Sequence, residues 1–99
     1  MYTNRMELSE RYIQTLEKEG FADVFEWQDP AGKTYTEHAH VGKVTYMVTD
    51  GSITFTLEGV DKLIKAGDRF NVPVGIPHSM QVGPNGWIGI IGEEISGGA

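Results

Sequence analysis

From residue 21 onward, apolar residues recur largely at every second position, in short runs broken by Gly, Pro, Asn and Asp. A period of two belongs to extended backbone, where successive side chains point to opposite faces. It predicts strands at 23–28, 34–40, 43–49, 52–58, 62–65, 69–72, 78–82 and 87–92. Turns fall at Asp29-Pro30-Ala31-Gly32, Asp50-Gly51, Glu58-Gly59, Ala66-Gly67-Asp68 and Gly83-Pro84-Asn85-Gly86. Asp50-Gly51, between two alternating runs, is the strongest hairpin signal. In 52–58, Ile53, Phe55 and Leu57 alternate with Ser52, Thr54 and Thr56, a strand with one dry and one wet face. Many short strands with no helix between them build a sandwich or a closed barrel.

Only the start of the chain has a helical period. Over residues 5 to about 19, Leu8, Tyr12 and Leu16 recur every four residues, and Ile13 widens the stripe. Asn4 can cap this helix, Glu7 sits at the capping-box position and Gly20 suits a left-handed terminus. Its apolar face is expected to lie across the barrel or against a partner chain. Its acidic end, Glu17-Lys18-Glu19, disfavours reading DNA.

Ninety-nine residues suffice for one core, so a single domain over 1–99 is expected, with a helix at 5–19, a barrel at 21–92 and a frayed tail at 93–99. The net charge is −6 and the eight Lys and Arg are scattered, which argues against nucleic acid as a partner. Without cysteine there are no disulfides, thiolate metal sites or cysteine nucleophiles. No apolar leader or membrane-length run is present, so a cytoplasmic location and no membrane partner are expected.

All three histidines fall in two short stretches. His38 and His40 are two apart, and in a strand such residues share a face about 6.5 to 7 Å apart. His78 follows the turn Pro73-Val74-Gly75-Ile76-Pro77. Three neutral imidazoles with open positions are the ligand set of a reactive mononuclear site, since closed structural sites usually have four protein ligands. Imidazole suits Fe, Mn, Ni, Zn or Cu, and affinity order alone does not choose among them. Histidines that only hydrogen-bond in a metal-free barrel are the plainer alternative.

Eight positions in these stretches resemble the two motifs of the cupin family. Gly32, His38, His40 and Gly51 match the first motif, and Gly67, Pro73, Gly75 and His78 match the second. The resemblance covers roughly residues 30 to 92. It implies an all-β cupin barrel, a double-stranded β-helix or jelly roll, with one N-terminal helix added here. It also implies one divalent transition metal on His38, His40 and His78. The chain departs from the motifs at Val44, where the family has a glutamate ligand, and at Val82, where it has an asparagine. Glu37 cannot replace that ligand, because it points away from the His38 face.

On that frame Val44, Tyr46, Met80 and Val82 are expected to wall an apolar substrate pocket. Trp27 and Trp87 are read as core or dimer contacts, with closure of the pocket mouth as the other role. A site without the glutamate keeps more charge on the ion and leaves more than one position open, which suits anionic chelating ligands. The resemblance then implies a metal-dependent small-molecule protein, with oxygenase-type chemistry put first. If it is an enzyme, the classes are a mononuclear dioxygenase-like oxidoreductase or an isomerase. A non-enzymatic module binding an anion or a sugar is the alternative, as one fold hosts many functions.

The helix stripe and two tryptophans offer more apolar surface than one small core needs, so a homodimer is expected. Light scattering at micromolar concentration should give at least twice the mass of one chain, and the mass of a single chain would refute the expectation.

Overall fold

Two strands are long enough to serve both halves of the molecule. The computed structural model describes residues 4–95. After helix α1 (Arg5–Lys18) come β1 (Asp23–Asp29), β2 (Thr34–His38), β3 (Val44–Leu57), β4 (Val60–Lys65), β5 (Arg69–Val72) and β6 (His78–Glu93). All pairings are antiparallel, and β3 pairs with β6 from Val44↔Glu93 to Leu57↔His78. One half of the sheet runs β1, the end of β6, the start of β3, then β5. The other runs β2, the start of β6, the end of β3, then β4. Between them lies a core that includes Val44, Tyr46, Val48, Ile53, Phe55, Leu57, Met80, Val82, Trp87 and Ile91. The molecule is thus the expected mostly-β barrel with one helix.

Eight expected strands become six because two of the turns do not reverse the chain. Asp50-Gly51 lies inside β3, opposite Ile88 and Trp87 of β6, with a register shift on either side. A two-residue hairpin of the favoured type needs positive φ at both central residues. Here Gly51 has φ 74° while Asp50 is not left-handed, so the glycine makes a bulge at which the strand passes from one half to the other. Likewise Gly83-Pro84-Asn85-Gly86 is an excursion within β6. It lies between the pairs Ile53↔Val82 and Gly51↔Trp87, where β3 has Ser52 alone. The tight hairpin is Leu57 to Val60, where Glu58 (φ 50°) and Gly59 (φ 79°) are both left-handed. Strand β2 stops at His38, so His40 stands beyond its end.

Helix α1 begins as expected, with the Asn4 side chain accepting from the Glu7 amide, and it ends before Gly20 at φ 92°. Tyr12 and Leu16 pack on Met47 and Ile90, with Leu8 and Ile13 alongside. Met47 and Ile90 sit on the outer face of the sheet, so both faces of this half are covered. Arg69 clamps the helix end with a two-pronged bond to Glu19, at 2.7 and 2.6 Å. Among the described residues no helix is long and apolar enough to cross a membrane. The expected frayed tail begins too early. Glu93 is in β6, Glu94 exchanges hydrogen bonds with Lys43, and only residues 96–99 of that tail lie outside the described residues.

A Cβ at Gly51 would collide with the Gly86 backbone, whereas one at Gly59 would meet nothing within 4 Å. Both positions are left-handed. Gly59→Ala should therefore cost about 1 kcal/mol and Gly51→Ala about 3 kcal/mol, because strain and overlap add. Urea unfolding of the two variants measures the difference, and equal losses would contradict this account of the bulge.

Candidate metal centre

The end of one strand, the start of another and the loop between them converge on the histidines. His38 closes β2 and His78 opens β6, and the two are directly paired across the sheet. His40 is fixed from the other side, where its carbonyl accepts from the Gly75 amide at 3.0 Å. That bond ties it to the turn that delivers His78. The ring centroids stand 4.9 Å apart for His38 and His40, 4.4 Å for His38 and His78, and 5.0 Å for His40 and His78. One ligating nitrogen from each ring lies within 4.8 Å of the others. Carbonyl oxygens orient two of the rings. Thr36 O is 2.8 Å from His38 Nδ1, and Ile76 O is 3.4 Å from His78 Nδ1. A carbonyl only accepts, so each Nδ1 carries the proton and each Nε2 is left with its lone pair.

Burial sets the electrostatics. His78 is fully buried and His40 is 4% exposed. Both nitrogens of His40 and Nε2 of His78 are buried without a hydrogen-bond partner. Burial, then the nearby His78 and His38, pushes His40 down to about 4. Burial also lowers His78, against the Ile76 carbonyl that favours its charged form. His40 and His78 are therefore neutral nitrogen donors near neutral pH. Such buried polar atoms are costly unless something satisfies them. A divalent transition ion would satisfy all three rings at once, so the residues fit the group that the motifs imply. Glu37 is exposed and takes no part.

A cavity of about 290 Å³ adjoins His38 and His40. Tyr46 and Met80 line it, while Val44 and Val82 lie in the core and are not among its lining residues. Phe25 and Ile91 add apolar wall. Trp87 lines it from the core at 2% exposure, and Trp27 lines it from the surface at 48%. Two acidic residues of the lining are missed by the sequence reading. Asp29, read as a turn residue, accepts from Trp27 Nε1 at 3.3 Å, Tyr35 OH at 2.8 Å and Trp87 Nε1 at 2.9 Å. It thus locks one wall of the cavity. Glu93, read as tail, lines the same cavity, and its only sequence signal is its two-residue step from Ile91.

The Cupin domain family matches residues 25–83. Among solved structures, the chain is similar to a RmlC-like cupin from Shewanella frigidimarina, at 29% identity and a TM-score of 0.60. That match covers 69% of this chain and 60% of the other. It is similar also to a conserved protein with a double-stranded β-helix domain from Klebsiella pneumoniae, at 26% identity and TM-score 0.62, over 77% of this chain and 70% of that one. The DMSP lyase DddQ from Ruegeria pomeroyi is 25% identical with a TM-score of 0.62, over 69% of this chain and 35% of that one. The chain therefore spans less than two thirds of the Shewanella and Ruegeria proteins. No curated protein matches it.

The lowered pKa of His40 sets a pH dependence for the metal-free protein. Between about 4 in the fold and the ordinary 6.5 of an unfolded imidazole, the unfolded state binds more protons. Stability contributed by the neutral ring is full above 6.5 and is lost as pH falls. At pH 5.5 His40 alone should cost about 1 kcal/mol relative to neutral pH. Thermal melts after chelation should show this decline, with a shallower one in His40→Phe, which has no proton to take up. Parallel declines in the two proteins would refute the assignment.

Proposed function

The chain belongs to the cupin family, and from that premise we propose that it is a metal-dependent cupin acting on a small, anionic, metal-chelating molecule. His38, His40 and His78 would hold one divalent transition ion, which when bound would supply Lewis acidity toward an oxygen of the ligand. The observation that carries this reading is the convergence of three imidazoles, two of which, His40 and His78, have buried nitrogens without a hydrogen-bond partner. Oxygenase-type chemistry is the reaction class we put first.

The protein's own residues then have separate tasks. The Thr36 and Ile76 carbonyls hold two rings in the ligating tautomer. Phe25, Tyr46, Met80 and Ile91 keep the cavity apolar, which strengthens electrostatic contacts inside it. Tyr46 stays protonated, because burial raises its phenol well above the usual range, and its hydroxyl lies 3.7 Å from Met80 Sδ. Val44 adds no charge, so anionic groups are favoured at the open positions.

Untagged wild-type protein should take up one equivalent of zinc or iron. His40→Ala should bind it at least about 100-fold more weakly, a larger loss than the 10–100-fold typical of an outer supporting group. Equal metal content in both would sink the proposal. Val44→Glu should hold metal more tightly while binding oxalate about ten-fold more weakly, as the new carboxylate fills a position and lowers the net charge. Calorimetric titration measures both, and undiminished oxalate binding would overturn the open-position reading.

A further inference from the structure

Sheet register puts a carboxylate beside the position where the first motif lacks one. Val44 of β3 lies directly opposite Glu93 of β6. Opposed residues of antiparallel strands project from the same face, with Cβ atoms about 4.5–5.5 Å apart. Val44 faces the barrel interior, and so does Ile91, two residues before Glu93. Glu93 accordingly lines the cavity together with His38 and His40. It is not among the three residues whose ligating atoms cluster. No hydrogen bond or ion pair of the described residues engages its carboxylate.

The groups around Glu93 suit a proton acceptor. On β1 its opposite neighbour is Asp23, a second negative charge. Tyr46 faces it from β3, and His38 and His40 face the same space from the β2 side. Asp29 and Tyr35 also line the cavity, but they are engaged with each other, and Asp29 is further engaged with both tryptophans. Burial first, and Asp23 second, raise the Glu93 carboxyl above its ordinary range. A carboxylate with a raised pKa accepts a proton more readily near neutral pH.

We propose that Glu93 is the proton acceptor of this site, replacing from the neighbouring strand the carboxylate absent at Val44, and acting on the bound molecule instead of on the ion. This rests on the metal-site reading above. As a protic chelating ligand settles against the histidine cluster, its O–H bond breaks and the proton joins a Glu93 carboxylate oxygen. The electron pair stays on the ligand oxygen, so the ligand binds as the anion and no oxidant or reductant is needed. The cavity would then select acids that shed a proton on binding, such as hydroxamates or enols.

Acetohydroxamate and oxalate test this on the zinc-loaded protein. The first must lose a proton to chelate, and the second is already ionised at neutral pH. In Glu93→Gln, a near-isosteric change that also relieves repulsion with Asp23, zinc stoichiometry should be unchanged. Acetohydroxamate should bind roughly ten-fold more weakly, and oxalate as well as before or better. Calorimetry in buffers of different ionisation enthalpy should show the wild type releasing fewer protons to solvent than Glu93→Gln, since Glu93 keeps them. Equal affinity and equal proton release would overturn the assignment, and loss of zinc would make Glu93 a ligand instead. Failure of the wild type to take up zinc would instead defeat the metal-site reading, an outcome separate from either.

Discussion

Every other strand of the molecule hangs on the ladder between β3 and β6. It runs almost the whole length of both strands, and each strand carries two further partners on its outer side, β1 and β2 on β6, and β4 and β5 on β3. Because both strands pass from one half of the sheet to the other, the two halves face each other around a common core. A one-residue slip in this ladder would turn every inward side chain outward. The bulge at Gly51 and the excursion at 83–86 are where the ladder absorbs the bend, and the close approach of Gly51 to Gly86 leaves no room for a side chain.

The same ladder sets the chemistry. His78 begins β6 and Glu93 ends it, so one strand delivers a histidine to one end of the site and a carboxylate to the cavity wall. The imidazoles of His40 and His78 are buried beside His38, and desolvation, with repulsion from the neighbouring rings, holds those two neutral. That costs stability in the absence of an ion and lowers the competition from protons when one binds. The helix stays clear of this. It covers the outer face behind Met47 and Ile90, in the half of the sheet that does not carry His38 and His78.

Local signals were legible where they depend on neighbours in the chain. The alternation in 52–58 appears as buried Ile53, Phe55 and Leu57 between half-buried polar residues. The Asn4 cap and the Leu8, Tyr12, Leu16 stripe stand where their spacing puts them. The gathering of His38, His40 and His78 was legible too, through dispersed motif positions whose separations reflect strand and turn lengths. The route to that gathering differs, since His40 lies past the strand end and is held by Gly75.

What the sequence determined by itself was the class of fold, the helix and the three nitrogen donors, because period, caps and turn residues act over a few residues of backbone. Tertiary structure alone decided the rest. Asp50-Gly51 reads as a reversal, yet pairing with β6 on both sides makes straight passage with a bulge the better-bonded course. Asp29 reads as a turn residue, yet it gathers donors from as far along the chain as Trp87. Glu93 reads as the start of a frayed tail, until its register against Val44 brings it into the cavity. Register is a property of two strands at once, set by how all the inward side chains fit together, and no single stretch of sequence carries it.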